Sequence, residues 1–192
     1  MKSKIISIHS FRGGTGKSNI TANLAGQLVT RNYRVGMVDT DIQSPGIHVL
    51  FGLDKEKMGH TLNQYLRGEA TMKDVAFPVG DQIGAAPGLI QLKGKPIWLA
   101  PSSIDGSEIN KILRSGYDVN ILNKGMAEFR KEFDLSHLLI DTHPGINEET
   151  GINSNIPSGI AATPGGRAGI PHGAMGREGR PDENVVSPGR MC

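Results

Sequence analysis

The chain has 192 residues with a formal net charge of +2. That length suits one domain with a real core, and a charge balanced on both sides of residue 150 offers no basic arm for purely electrostatic nucleic-acid binding. The single cysteine, Cys192, excludes an internal disulfide framework and a cysteine-rich metal site. Met1-Lys2-Ser3-Lys4 runs into an apolar segment without the long hydrophobic stretch of a signal peptide, and no run reaches membrane-spanning length. A cytoplasmic, soluble protein is expected.

Residues 4–9 are short, branched and continuously apolar, as in a buried parallel strand. Phe11-Arg12-Gly13-Gly14-Thr15-Gly16-Lys17-Ser18 follows, then a helical pattern over 17–31 with Ile20, Leu24 and Leu28 on one face. Strand, glycine-rich turn and helix are the context in which a phosphate loop works. Glycines allow the backbone to curl with its N–H groups inward, and the helix start adds unpaired N–H groups and the positive end of its dipole. Gly13, Gly14, Thr15 and Gly16 are therefore predicted to cradle phosphate, Lys17 to reach the β/γ-phosphates, and Ser18 to offer an oxygen to Mg²⁺. The plain pattern G-x-x-x-x-G-K-[ST] is broken by Phe11 at its first glycine, leaving a basic residue, Arg12, before a Gly-Gly pair.

Asn32-Tyr33 reads as a turn and Arg34–Val38 as a second strand, ending in Asp39-Thr40-Asp41. Strand, helix and strand form a βαβ unit of a doubly wound, mostly parallel α/β sheet, in which ligands sit beyond the carboxyl ends of the strands. Residues 42–66 read as turn and short helix, with one or two helical turns over 61–66; residues 80–96 read as a glycine- and proline-rich surface excursion. Ile97–Ala100 is predicted as a third strand, with Trp98 in the core, and 105–114 and 118–132 as helices, the second capped by Asp118. Leu138-Leu139-Ile140-Asp141 is an apolar run closed by an acid, followed by Thr142-His143-Pro144-Gly145.

Asp39, Asp41 and Asp141 all close predicted strands on the rim of the phosphate loop. A magnesium ion needs oxygen ligands and an attacking water needs an acceptor. Asp141 has the look of a Walker B acid. Asp39 and Asp41, two apart on an extended segment, are expected to point the same way, one toward the metal shell and one toward water. His9, His48, His60, His137 and His172 show no paired ligand spacing and are assigned structural or solvent roles. His143 is set apart, since two residues past Asp141 it can approach the γ-phosphate.

From about residue 151 the pattern changes: about a third of the remaining residues are Gly or Pro, and no core-forming strand is discernible. The expectation is a nucleotide-binding domain over 1–150, incomplete at its C-terminus, and a disordered tail over 151–192. A flexible tail, a linker to a further domain, and sequence never selected to fold, as after a frameshift, all remain open.

Arg12-Gly13-Gly14-Thr15-Gly16-Lys17-Ser18, Asp39-Thr40-Asp41-Ile42-Gln43 and Asp141-Thr142-His143-Pro144-Gly145 together resemble the MinD/ParA ATPases, the deviant-Walker-A branch of P-loop proteins. The resemblance spans residues 2 to about 150. It implies ATP and Mg²⁺ as ligands, an ATP-sandwiched homodimer, a partner activator protein, and a switch used in intracellular positioning or partitioning. By position it makes Asp39 and Asp141 metal-shell residues and Asp41 the acid that orients water, with Lys17 on the phosphates. Arg12 stands where the family's lysine crosses to the partner's phosphates, and an arginine keeps that charge with bidentate geometry. His143 stands where many relatives have proline. The family's adenine pocket and its membrane- or DNA-contacting surface are not legible. A nucleotide-binding adaptor without turnover and an inactive fragment are the competing readings. Metal-cluster carriers with similar loops are disfavoured by the missing cysteines, and small-molecule kinases by the lack of an acceptor pocket or lid.

Overall fold

The strands alternate their side chains between two apolar layers, and this alternation builds the molecule. The computed structural model describes residues 3–80 and 94–144 and the backbone of residues 159–161. Five parallel strands, β1 (Lys4–His9), β2 (Val35–Asp39), β4 (Ile97–Ala100), β5 (His137–Asp141) and β6 (Gly159–Ala161), share a sheet with one short antiparallel strand, β3 (Phe77–Pro78). The spatial order is β3-β4-β2-β5-β1-β6. Val35, Met37, Ile97, Leu99, Leu139 and Ile8 enter one layer, against α1 (Lys17–Thr30) and α2 (Ile47–Leu50). Val38, Ala100, Leu138 and Ile140 enter the other, against α3 (Leu62–Leu66), α4 (Met72–Val75), α5 (Gly106–Ser115) and α6 (Val119–Glu132). Helices on both faces of a mostly parallel sheet are the doubly wound α/β arrangement anticipated.

Most predicted elements stand within a residue or two of their expected limits. Asp118 caps α6 by accepting from Asn120 N. Trp98 is half-buried, its ring centroid 5.1 Å from the tilted ring of Phe133 and beneath the Arg34 guanidinium at 5.0 Å, which itself donates twice to Phe133 O. The segment Ile97–Ala100 is fourth rather than third, because β3 precedes it; two residues, one a proline, carry no periodicity. Helix α4 has a capping box, Thr71 with Asp74, and that spacing was readable. A strand also lies beyond residue 151, contrary to expectation. β6 pairs with β1 in the register Ser7↔Gly159, Ile8↔Ile160 and His9↔Ala161. Three residues are too few for a pattern; the free edge of β1 supplies the partner. The sheet thus reaches past the boundary expected at 150. The 81–93 part of the surface excursion, Gly145, His172 and Cys192 lie outside the described residues.

The order matters most at its centre. β5 inserts between β1 and β2, so the acid ending β5 lies between the loop after β1 and the acid ending β2. Gly36 on β2 is required for α6 to lie close: a Cβ there would meet Phe129 Cε1 at 3.0 Å and collide with Leu135. Replacing Gly36 with Ala is expected to destabilise the protein by about 1–3 kcal/mol through overpacking, measured by urea denaturation. An unchanged midpoint would show that the 133–136 turn yields freely.

Candidate functional site

The loop after β1 begins with buried Ser10, whose hydroxyl donates to Arg12 O at 2.7 Å. Gly14 (φ 72) and Gly16 (φ 84) occupy left-handed conformations that side chains disfavour, and a Cβ at either would meet open space. These glycines serve backbone shape, curling the loop. Gly16 is the N-cap of α1, its carbonyl accepting from Ile20 N at 2.9 Å, and no side chain caps the helix. The first-turn N–H groups of a 14-residue helix therefore remain available to an anion. Gly13, Gly14, Thr15, Gly16, Lys17, Ser18 and Asn19 line an open cleft of about 340 Å³, closed on the far side by Asp41, Ser44, His143 and Pro144. Lys17 is only 7% exposed, unusual for a lysine, and Thr15 Oγ1 is buried without a partner. Arg12 is exposed, and the cleft lining starts one residue after it.

The acids occupy different depths. Asp39 and Asp141 are both buried and face each other in register on β2 and β5. Asp141 Oδ1 accepts from Thr21 Oγ1 at 3.4 Å. Burial raises its pKa above the ordinary carboxylate range, opposed by Ser18 and Lys17. Asp39 Oδ1 accepts from Asp41 N at 3.0 Å, while Oδ2 is buried with no partner. Burial, then the charge of Asp141, pushes Asp39 well above the usual range.

Asp41 is where the expected geometry changes. β2 ends at Asp39, and the bond from Asp41 N to the Asp39 carboxylate turns the chain, so the two acids do not share an extended segment. Asp39 goes under the sheet tips; Asp41 stands on the cleft wall. Its Oδ1 accepts from Ser44 N at 3.1 Å and from His143 Nδ1 at 2.7 Å.

His9 has the structural role expected, Nε2 against Ser7 Oγ at 2.8 Å and Nδ1 against Thr142 Oγ1 at 3.0 Å; burial and then Lys17 lower its pKa. Burial also lowers the pKa of His48 and of His137, the latter packed edge-on to Tyr33 at 4.6 Å. His60 Nδ1 pairs with Gln64 Oε1 at 3.1 Å. Two supporting residues were not anticipated. Thr21 is fully buried and donates to Lys17 O at 2.9 Å, at the four-residue helical spacing that sequence makes visible. Thr142 donates to Ile8 O at 2.7 Å, tying the end of β5 to β1, and no local pattern announces it.

Among the described residues no group of three or more His, Cys, Asp or Glu side chains forms a metal cage by itself. The oxygen donors here suit a magnesium ion that keeps waters and shares phosphate oxygens. The orphaned Asp39 Oδ2, beside Asp141 in a buried site, is the feature such a cation fits.

A glycine-rich turn from a central parallel strand into a helix whose first residues are Lys-Ser, with a buried acid closing the neighbouring strand, defines a P-loop NTPase. A family profile described as "ParA: NUBPL iron-transfer P-loop NTPase" matches residues 2–76. The flagellum site-determining protein YlxH of Helicobacter pylori is 33% identical over 147 residues, 77% of this chain and 43% of that protein. An iron-sulfur cluster carrier protein of Rickettsia felis is 52% identical over 52 residues, 27% of this chain and 16% of that one. In fold, the chain resembles the septum site-determining protein MinD of Pyrococcus horikoshii, complexed with Mg-ADP: TM-score 0.64, 23% identity, covering 84% of this chain and 58% of MinD. The chain belongs to the ParA/MinD-like family of P-loop NTPases. It spans about half or less of the length of these relatives.

Asp39 gives a test of this electrostatic picture. A raised folded-state pKa means that the native state holds its proton more tightly than the unfolded chain, so stability falls as pH rises from about 3.9 through the raised value. Asp39→Asn is therefore expected to raise the melting temperature of the nucleotide-free protein at neutral pH, by about 2–4 °C per kcal/mol relieved. The gain shrinks as pH falls toward the ordinary aspartate range. Thermal melts at several pH values, with a gain independent of pH, would reject the assignment.

Proposed function

We propose that the protein binds ATP with Mg²⁺ in this cleft and hydrolyses it slowly, as a cytoplasmic dimerising switch for positioning or partitioning. The carrying observation is the convergence of the uncapped α1 start, buried Lys17, the strand-end acids Asp39 and Asp141, and Asp41 on the cleft wall. All of these lie within residues 1–150, the part read as the nucleotide-binding unit. The amides of Gly13 to Gly16 and the Lys17 ammonium bind the β/γ-phosphates. Ser18, Asp39 and Asp141 hold the metal, the two acids largely through water. A bound magnesium ion supplies charge neutralisation of the phosphates. Asp41, on the cleft wall, orients the attacking water. Arg12, exposed before the Gly-Gly pair, reaches the phosphates of a second copy.

The positioning role is supported by the likeness to YlxH, a flagellum site-determining protein. A partner protein is a reasonable companion, since MinD of Aquifex aeolicus forms a complex with MinC. No helix among the described residues is long and apolar enough to cross a membrane. The family profile and the Rickettsia relative raise metal-cluster delivery as another cargo; the profile's match is confined to 2–76, which holds the loop, Asp39 and Asp41. That stretch supports the nucleotide chemistry common to both readings.

Lys17→Ala is expected to abolish ATP binding, followed with a fluorescent nucleotide. Asp41→Ala is expected to retain binding while phosphate release falls by about 10²-fold or more. Equal hydrolysis in Asp41→Ala rejects the role given to that acid. Tight binding by the unaltered protein with no phosphate release over hours would favour a nucleotide-binding adaptor instead.

A further inference from the structure

We infer that His143 is a positioning residue for Asp41: its imidazole fixes the carboxylate that orients water, and it does not itself bind phosphate. The inference rests on the role proposed for Asp41. The two side chains come from different strand ends, His143 two residues past β5 and Asp41 two past β2, and meet at 2.7 Å between Nδ1 and Oδ1. Both are mostly shielded, at 24% and 13% side-chain exposure, so water competes poorly for the bond. A carboxylate accepts, so Nδ1 carries the hydrogen. Ser44 N donates to the same Oδ1 at 3.1 Å. Neither bond occupies Oδ2, the oxygen left to accept from a water.

Each of the two residues follows a buried threonine tied to a neighbouring strand, so both backbones are fixed where the side chains meet. His143 follows Thr142, which is buried and tied to Ile8 O at 2.7 Å and to His9 Nδ1 at 3.0 Å, and it precedes Pro144, whose φ is fixed. Asp41 follows Thr40, which is buried and donates from N and from Oγ1 to Asp141 O at 2.9 and 3.0 Å, and it begins the turn 41–46, held by Asp39 and Ser44. With both backbones held, the imidazole bond limits rotation of the Asp41 carboxylate. A general base or water-orienting group works only when held within a few tenths of an ångström of its position.

The expected signature is a change in turnover without a change in binding. His143→Ala should lower kcat by about 10-fold, the scale of losing an orienting partner, with ATP affinity unchanged. Asparagine carries its amide nitrogen on Cγ, as histidine carries Nδ1, whereas glutamine carries it one bond further out. His143→Asn should therefore restore most of kcat and His143→Gln should not. In an Asp41→Ala background, His143→Ala should have no further effect. A readout free of turnover is the ¹⁵N spectrum of the His143 ring in the nucleotide-free protein: Nδ1 should bear hydrogen, and its resonance should shift in Asp41→Ala.

Weakened ATP binding in His143→Ala, or an equal loss in both backgrounds, would mean direct phosphate contact and overturn the inference. So would a bare Nδ1 in the ring spectrum, or rescue by glutamine rather than asparagine. If Asp41→Ala hydrolyses normally, the role of Asp41 fails instead. If Asp41→Ala is impaired and His143→Ala is not, only the positioning role falls.

Discussion

Two buried carboxylates in register on neighbouring parallel strands are the constraint on which this molecule turns. Asp39 and Asp141 lie side by side at the tips of β2 and β5, and burial raises the pKa of each. Like charges at that separation from solvent are unfavourable. The Ser18 hydroxyl, Thr21 and the nearby Lys17 relieve Asp141 in part, but Asp39 keeps one oxygen without any partner. A fold that retains such a pair carries a local instability that a bound cation would relieve. On the proposed function, the stability of the protein and its binding of a metal-bound phosphate are thermodynamically linked.

The rest of the sheet serves that arrangement. α1 is anchored by Ala22, Ala25, Leu28 and Val29 in one apolar layer, which sets its uncapped start against the strand tips. α6 presses on β2 through Phe129, with Gly36 leaving room, and so holds Asp39 in line with Asp141. Thr142 bonds across to Ile8 and His9 and locks β5 to β1 just beyond Asp141. None of these groups need touch a ligand. Each narrows the range of positions available to one that does.

Depth separates the tasks. The acids under the strand tips are desolvated and suit a hard cation, whereas Asp41, turned onto the cleft wall by its bond to Asp39, keeps contact with water and with a histidine. Two aspartates only two positions apart thus meet different environments because the strand ends between them. The family profile covers the loop, Asp39 and Asp41 but not Asp141 or His143, which lie beyond residue 76.

Local patterns in the sequence determined the loop, its helix, the strands β1, β2, β4 and β5 and the acids that close two of them, because a continuous apolar run, a glycine cluster and a helical period are short-range signals. The same holds for the Asp118 cap and for the lysine and serine that open α1. What only the tertiary structure decided is adjacency: β5 inserted between β1 and β2, β6 on the outer edge of β1, and the meeting of His143 with Asp41. Residues 41 and 143 lie on segments whose separation in sequence carries no information about contact. Strand order brings them together, and it is chosen by the packing of two whole apolar layers rather than by any stretch of chain alone.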